Sequence, residues 1–208
     1  YGDRGGQWAF EDEPPRPLTA RGRWRADAEI AWLETGRPVH IFRLAGIYGP
    51  GRSPFTKALN GTARAVIKPA HVVNRIHVDD SVRAILASLE APHPQRIYNI
   101  ADGHPASPQE VLDYAADLVG AARPPRVGPD DPHVSRMAKS FYAETKRIHI
   151  GRARAELGFT PKFKSYREGL IHVLREEAHS PVGVSLTGYI DISPHHLAAA
   201  QAALPEHI

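Results

Sequence analysis

Apolar positions near the start of the chain predict a helix followed by a strand. Thr19 is placed to cap the helix, and Gly36 is placed to end it. One apolar stripe at helical spacing runs along this helix: Trp24, Ala28, Ala31 and Trp32. We expect both tryptophans to pack into the protein. The β-rich run from Val39 to Leu44 follows directly, and a helix that leads into such a strand is typical of an α/β fold.

The same alternation of helices and strands continues through the middle of the chain. Further strands are predicted over 65–68, 72–78 and 96–100. Further helices are predicted after a cap at Asp79 or Asp80, after a capping box formed by Ser107 and Glu110, and over 165–177. Residues 45–52 are predicted to form an irregular loop, and a loop at the carboxyl end of a parallel strand is where open α/β sheets bind ligands.

The end of the chain shows a separate pattern. Five apolar residues share one parity and predict a half-buried strand: Val182, Val184, Leu186, Ile190 and Ile192. Pro194 is placed to begin a helix after it. A new strand and helix so late in the chain predict the opening of a second domain, so we divide the sequence into residues 1–179 and 180–208.

Composition excludes several classes of protein. The chain has 208 residues, of which 42% are apolar and 24% charged, as in globular proteins. It contains no Cys, which excludes disulfides, thiolate metal ligands and cysteine nucleophiles. The net charge of +3 is small and spread among acids, so we expect no nucleic-acid partner. The sequence contains neither a membrane-length apolar run nor a signal peptide, so we expect a cytoplasmic protein without a membrane partner.

Five sequence segments, in order, carry a resemblance to a known family. They are Tyr1-Gly2 with Pro17-Leu18-Thr19; Phe42-Arg43-Leu44 through Tyr48-Gly49-Pro50-Gly51; Ile76-His77-Val78-Asp79-Asp80; Tyr98-Asn99-Ile100; and Leu157-Gly158-Phe159 with Tyr166-Arg167-Glu168-Gly169. Together they resemble the C-terminal half of an extended short-chain dehydrogenase/reductase of the NAD-dependent epimerase/dehydratase family. The segment from Val184 to Ile192, with the helix start at Pro194, resembles the first strand and helix of an antibiotic-biosynthesis monooxygenase domain.

The family resemblance implies the C-terminal portion of a Rossmann-like NAD(P)-binding α/β fold, with a small α/β substrate-binding region. The family's first half holds the glycine-rich turn that seats the cofactor pyrophosphate. The only dense glycine cluster here is Gly46, Gly49 and Gly51, whose spacing does not fit such a turn. We therefore expect a fragment that lacks the N-terminal half and does not bind cofactor well alone, with NADP or NAD bound by the full-length protein.

The resemblance also assigns candidate catalytic residues. The family's Tyr and Lys, which lie four residues apart on a helix, correspond here to Arg21 and Arg25. Arginine stays protonated and cannot act as the general acid or base. Arg25 can bind a ribose or phosphate and Arg21 an anionic substrate, or both are solvated surface residues. Tyr48 is a candidate hydrogen-bond donor to the substrate or the nicotinamide amide, or a tyrosine packed at the sheet edge. A second Tyr-x-x-x-Lys pair, Tyr142 and Lys146, is interpreted as chance.

The predicted cofactor-binding residues are Arg25, Leu44, Gly46 and Ile47, and the predicted substrate-binding residues are Tyr48, Arg75 and His77. In nucleotide-sugar enzymes of the family, a phosphate-binding arginine lies four residues before the His that corresponds to His77. Val73 occupies that position here, and Val cannot pair with a diphosphate. Strand alternation places Arg75 on the same side as Val73, where it can substitute in part. His77 is alternatively a structural residue that orients the loop.

A metal site is not predicted, although the chain has 12 histidines, because their spacing along the sequence shows no metal-ligand pattern. The function predicted by resemblance is that of an atypical NAD(P)-dependent oxidoreductase or epimerase-like protein acting on a small carbonyl or hydroxyl metabolite. The alternative is a non-catalytic protein on the same fold that senses a metabolite or cofactor. A small-molecule substrate is the expected partner, and the resemblance leaves a homodimer open.

Overall fold

The computed structural model describes residues 1–91 and 93–179. Its helices are α1 (Ala20–Glu34), α2 (Phe55–Leu59), α3 (Val78–Leu89), α4 (Pro108–Leu118), α5 (Arg136–Phe141), α6 (Gly151–Leu157) and α7 (Tyr166–His179). Its strands are β1 (Trp8–Ala9), β2 (His40–Leu44), β3 (Gly46–Tyr48), β4 (Ala65–Val66), β5 (Arg75–His77), β6 (Arg96–Ile100), β7 (Arg126–Val127) and β8 (Arg147–Ile148). The predicted second domain, 180–208, lies outside the described residues and stays a prediction.

All strands pair in parallel, and each pair joins strands that are distant in sequence. The pairs are β1 with β8, β2 with β6, β3 with β5 and β4 with β7. Parallel neighbours require crossover connections, which helices supply here. The predicted α/β fold is confirmed. In the described part of the chain, no helix has both the length and the apolar character needed to cross a membrane.

Local sequence signals explain several element boundaries. The Thr19 hydroxyl accepts a hydrogen bond from the Gly22 N–H at the start of α1, as predicted. The capping box at α4 is also confirmed, because Ser107 and Glu110 bond each other's backbone N–H. The cap of α3, however, is His77 rather than Asp79 or Asp80. Its Nδ1 accepts the Asp79 N–H at 3.2 Å, so both aspartates lie in the first turn, where they suit the helix dipole.

Three further predictions need correction. Residues 46–48, predicted as loop, form β3, because their backbone pairs with β5. The predicted strand 72–78 is shortened to β5, and Val73 instead forms an isolated antiparallel bridge with Ala106. The tryptophans of α1 are not packed inside: Trp24 is 71% and Trp32 60% exposed, and α1 has no buried residue in the described structure. Apolar residues at helical spacing predict an apolar face, but they do not show whether another part of the protein packs against it.

Three groups of buried side chains form the core. One lies between α2, α4 and α7 and includes Phe55, Leu170 and Val173. A second lies along β5 and β6 and includes Ile76, Tyr98 and Ile100. A third joins Ala9 and Ala101 to Ile148 and Ile150 near β1 and β8.

A buried carboxylate fixes the segment before α7. Asp80, with a fully buried side chain, accepts hydrogen bonds from the Lys162 N–H at 2.7 Å and the Phe163 N–H at 3.0 Å. It also pairs with Arg83 at 3.0 Å. Hydrogen bonds to an ionised acceptor are stronger than neutral ones, so the start of α3 and the entry to α7 are held together. Gly169 of α7 lies in this region and contacts the ring of Tyr48.

We predict that Gly169→Ala destabilises the protein, although Ala is normally the better helix residue. A Cβ at Gly169 would overlap the Tyr48 hydroxyl oxygen and lie 2.7 Å from the ring carbon Cζ. The overlap should lower the free energy of unfolding by about 1–3 kcal/mol, measured by urea denaturation. Gly128→Ala is the matched control, because no heavy atom lies within 4 Å of its Cβ position. Equal effects of the two changes would contradict the close contact of α7 with Tyr48.

Candidate functional site

A first cavity, of about 250 Å³, lies where β2 ends and β3 begins. We name it the Gly46 cavity. It is lined by Tyr1, Arg43, Leu44, Ala45, Gly46, Val72, Val73, Asn74, Phe141, Glu144, Lys146 and Ile148. Apolar side chains form most of this lining and a few charged groups enter it, as in small-molecule sites generally.

An ion pair contributes polar atoms to the Gly46 cavity. Lys146 Nζ donates hydrogen bonds to Glu144 Oε2 at 2.7 Å and to the Gly2 carbonyl at 3.2 Å. The backbone of Lys146 is held by the buried Asn74, whose Nδ2 donates to the Lys146 carbonyl at 2.8 Å. Asn74 Oδ1 accepts the Ile148 N–H at 2.8 Å. Asn74 therefore ties the segment before β5 to β8 and positions the ion pair in the cavity.

A half-buried tyrosine forms another wall of the Gly46 cavity. The Tyr1 hydroxyl donates to Asn99 Oδ1 at 2.7 Å, and the Arg43 guanidinium lies 4.6 Å from the centre of the Tyr1 ring. Burial raises the pKa of Tyr1, and the charge of Arg43 offsets part of that rise. Arg43 is held in turn by Glu29 of α1 at 2.7 Å. The Tyr1 phenol is thus neutral, and its hydroxyl donates its hydrogen bond to Asn99.

A second cavity, also about 250 Å³, is more apolar. We name it the Arg75 cavity. It is lined by Tyr48, Pro54, Arg75, Pro108, Val111, Leu112, Tyr166 and Leu170. Arg75 Nη1 donates to the Val73 carbonyl at 3.0 Å and to the Ala106 carbonyl at 3.2 Å. Burial lowers the pKa of Arg75 and the Asp102 charge raises it, yet a guanidinium stays charged. These bonds use two of its five N–H donors.

Tyr48 places a phenol at the Arg75 cavity. Its side chain is 8% exposed, and its hydroxyl has no hydrogen-bond partner among the described residues. Burial, reinforced by the charges of Asp102 and Asp80, raises the pKa of Tyr48 far above its ordinary value. The hydroxyl is therefore neutral at physiological pH. It can donate a hydrogen bond to a ligand, but it cannot serve as a base.

Asp102 is a buried acid behind Arg75. The side chain is 3% exposed, Oδ1 accepts the His104 N–H at 2.8 Å, and Oδ2 has no hydrogen-bond partner within the described structure. Its own N–H donates to the Arg75 carbonyl at 2.8 Å. Burial raises the pKa of Asp102 to about 7, against the opposing effects of the His104 hydrogen bond and the Arg75 charge. Asp102 therefore gains or loses its proton near neutral pH.

The two cavities meet along the β3–β5 ladder. Gly46 pairs with Arg75, and Tyr48 pairs with His77. The β3–β5 backbones approach closely at Gly46, where an added Cβ would lie 3.2 Å from the Asn74 carbonyl oxygen. A residue with a side chain would need Asn74 to shift. The ladder thus holds the two cavities next to each other.

Four of the eight predicted site residues line these two cavities. Leu44 and Gly46, predicted to bind cofactor, line the Gly46 cavity, and Tyr48 and Arg75, predicted to bind substrate, line the Arg75 cavity. Ile47 points to the other face of β3 and packs on the core group that contains Ile76.

The remaining predicted residues lie elsewhere. Arg21 and Arg25 are exposed on α1 and line neither cavity, so their proposed contacts stay predictions. His77 is fully buried beneath the Tyr48 ring, 5.3 Å between ring centres, where burial lowers its pKa. Its position at the cap of α3 matches the structural alternative. Val73 and Arg75 line different cavities, because the strand that would alternate them begins only at Arg75.

Sequence reasoning missed the Lys146–Glu144 ion pair of the Gly46 cavity and the buried acid behind Arg75. The pair of Tyr142 and Lys146 is interpreted from the sequence as chance, yet Lys146 lines the Gly46 cavity, as does Phe141. Asp102 follows the Tyr98-Asn99-Ile100 strand by two residues, and an acid just past a parallel strand was a usable signal. Glu144 carried no signal, because its pairing with Lys146 depends on the fold.

Comparisons with known proteins support the fold. No protein-family model matches the chain. YeeZ of Escherichia coli K12 is 41% identical over 109 residues, which cover 51% of this chain and 38% of YeeZ. The 3-diazoavenalumate denitrifying reductase of a Streptomyces species is 30% identical over 172 residues, 77% of this chain and 55% of that protein.

Two solved structures extend the comparison. A conserved protein of unknown function from Silicibacter pomeroyi is 46% identical with a TM-score of 0.81, covering 85% of this chain and 63% of that one. dTDP-glucose 4,6-dehydratase of Bacillus anthracis, solved in complex with NAD, is 23% identical with a TM-score of 0.69, covering 86% and 58%. The chain thus spans less than two thirds of each of these relatives. It has the Rossmann-like α/β fold of NAD-dependent epimerase/dehydratase proteins.

We predict that Asp102 makes stability depend on pH. Its folded pKa lies above that of a free aspartate, about 4, so the folded protein keeps a proton that the unfolded chain releases. Stability should therefore fall as pH rises from about 4 to about 7 and stay reduced above that. Asp102→Asn, which cannot ionise, should flatten this fall and raise the free energy of unfolding at about pH 8 by roughly 1–3 kcal/mol.

Urea denaturation at about pH 5 and about pH 8 measures both effects. Asp27→Asn, the same change at an exposed residue of α1, is the control and should leave the pH dependence unchanged. If Asp102→Asn were equally destabilising at both values, the buried carboxyl would not be the titrating group.

Proposed function

We propose that this chain forms the nicotinamide-side and substrate-binding portion of an NAD(P)-dependent oxidoreductase or epimerase-like protein. Its substrate would be a small metabolite with a carbonyl or hydroxyl group. A cytoplasmic location and a homodimer, both considered from the sequence, belong to this proposal. The curated 3-diazoavenalumate denitrifying reductase and the NAD complex of the dehydratase support the class of reaction and the cofactor.

The observation that carries the proposal is the pairing of Gly46 with Arg75. Gly46 belongs to the predicted cofactor residues and Arg75 to the predicted substrate residues, and each lines its own cavity. Hydride transfer needs cofactor and substrate to meet at close range in a fixed orientation. A backbone ladder provides a rigid element for that purpose.

The Gly46 cavity fits only part of a dinucleotide. Its volume, about 250 Å³, is below the range of drug-sized ligand pockets, which begins at about 300 Å³, so it matches a nicotinamide ring rather than the whole cofactor. Leu44 and Gly46 would contact the ring, and the Lys146–Glu144 pair offers polar atoms to its amide or to the substrate. When bound, the cofactor would supply hydride transfer. We expect weak cofactor binding by this chain alone, because its sequence lacks the glycine-rich pyrophosphate turn.

The Arg75 cavity suits a substrate with an apolar body and one polar or anionic end. Arg75 would bind that end, and the Tyr48 hydroxyl would donate a hydrogen bond to the substrate. Val111, Leu112 and Leu170 would exclude water from the apolar part. On α1, Arg25 would bind ribose or phosphate and Arg21 an anionic substrate group.

A reductase assay of the intact protein tests the proposal. NADH or NADPH consumption would be followed with a panel of small aldehydes and ketones, some of which carry a carboxylate. Arg75→Met should raise KM for the carboxylate-bearing substrates at least about tenfold, since a charged hydrogen bond contributes roughly 1.5–3 kcal/mol. The affinity for NADPH should remain unchanged.

Arg37→Met, at an exposed position after α1, is the control and should leave KM unchanged. Calorimetric titration of NADH and NADPH into residues 1–208 and into the intact protein measures cofactor binding separately. Absence of both turnover and cofactor binding by the intact protein would overturn the proposal, and binding without turnover would favour the sensor alternative.

A further inference from the structure

We propose that His77, Asp79 and His172 form a binding site for a divalent transition-metal ion such as Zn²⁺ or Co²⁺. One ligand atom from each residue lies within 4.8 Å of the other two. Asp79 Oδ2 is 3.7 Å from His77 Nδ1 and 3.7 Å from His172 Nε2. The sequence predicts no metal site because the spacing of its histidines shows neither an i, i+4 pair nor an accompanying acid. His172 belongs to α7 and reaches the other two residues only through the fold.

The separations are close to those of a metal site. Ligand atoms bound to Zn²⁺ at about 2.0–2.2 Å must lie within about 4.4 Å of one another. Small rotations of the partly exposed Asp79 and His172 side chains would bring all three atoms into that range. Two imidazoles and one carboxylate suit Zn²⁺, Co²⁺ or Ni²⁺, whereas Mg²⁺ and Ca²⁺ prefer oxygen ligands alone.

The fold fixes one ligand and leaves the other two at the surface. His77 is fully buried, with its ring 5.3 Å from Tyr48 and 4.3 Å from Phe163, centre to centre. Phe163 also stacks on His172 at 4.9 Å, which holds the second imidazole beside the first. A rigid buried ligand combined with two partly exposed ones provides both preorganisation and an entry path for the ion.

The tautomer of His77 also fits. Its Nδ1 accepts the Asp79 N–H at 3.2 Å, so in the neutral ring the proton is on Nε2 and the Nδ1 lone pair faces Asp79. A metal ion would bind that lone pair and replace the long hydrogen bond from the Asp79 N–H. Asp80 does not compete for the ion, because the Lys162 and Phe163 N–H groups and Arg83 occupy its oxygens.

A nearby positive charge opposes the ion. The Lys162 ammonium lies 4.9 Å from the centre of the Phe163 ring, on the segment that enters α7. Its repulsion should weaken binding relative to a site with no cation nearby. The ion would join α3 to α7 at the end of β5. Since none of the three ligands lines the Gly46 or Arg75 cavity, the ion's role is structural.

Titration of ZnCl₂ and CoCl₂ into the untagged, metal-free protein tests the proposal. We expect one high-affinity ion per chain by calorimetry, a visible absorption band from bound Co²⁺, and a higher Tm with metal. His172→Ala and, separately, Asp79→Asn should each weaken this binding at least about tenfold. Their Tm values without metal should match that of the unchanged protein, which shows that the variants fold.

Two controls address other histidines. His133→Ala removes a His–Asp pair that also exists on the surface, His133 Nδ1 to Asp131 Oδ1 at 3.1 Å, but for which no third ligand lies nearby among the described residues. A double change of His195 and His196 to Ala removes the adjacent histidines near the end of the sequence. Both controls should keep the high-affinity site. Its absence from the unchanged protein, or an equal loss in a control, would overturn the proposal, whatever the outcome of the reductase assay.

Discussion

The placement of α7 beside the Arg75 cavity and the His77–His172 pair depends on the hydrogen bonds accepted by the buried carboxylate of Asp80. By accepting two backbone N–H groups from the segment before α7, this carboxylate fixes where that helix begins. The position of α7 then sets the contact of Gly169 with Tyr48, the place of Tyr166 in the Arg75 cavity, and the approach of His172 to His77. A buried ion that lost its partners would be costly, so this arrangement tolerates little change.

The β3–β5 ladder organises the chemistry on a smaller scale. It carries Gly46 and Tyr48 on one strand and Arg75 and His77 on the other. Charge is distributed unevenly around it: an ion pair enters the Gly46 cavity, whereas the Arg75 cavity combines one guanidinium with a phenol and, behind it, an acid that titrates near neutral pH. Such a combination of perturbed groups around a cavity is typical of functional sites.

Sequence analysis succeeded for interactions between residues that are close in sequence, and it failed for those between distant segments. The capping box of Ser107 and Glu110 acts within one turn, so the sequence alone identified it. The α/β class was predictable from a helix that leads directly into the β-rich run from Val39 to Leu44. The family resemblance indicated Leu44, Gly46, Tyr48 and Arg75 as site residues. Interactions between distant segments were not predictable, because nothing in the spacing indicates that His172 will meet His77 or that Lys146 will enter the Gly46 cavity. For α1, the periodicity identified an apolar face but did not show that this face is exposed.

That exposed face has a practical consequence for spectroscopy. All three tryptophans of the chain are at least two fifths exposed: Trp8 at 41%, Trp32 at 60% and Trp24 at 71%. Their emission should already resemble that of solvated indole in the folded state, so unfolding will change it little. Tryptophan fluorescence would therefore be a poor probe of folding here. It would be a sensitive probe of any molecule that comes to cover α1, because such contact would shift the emission to shorter wavelength.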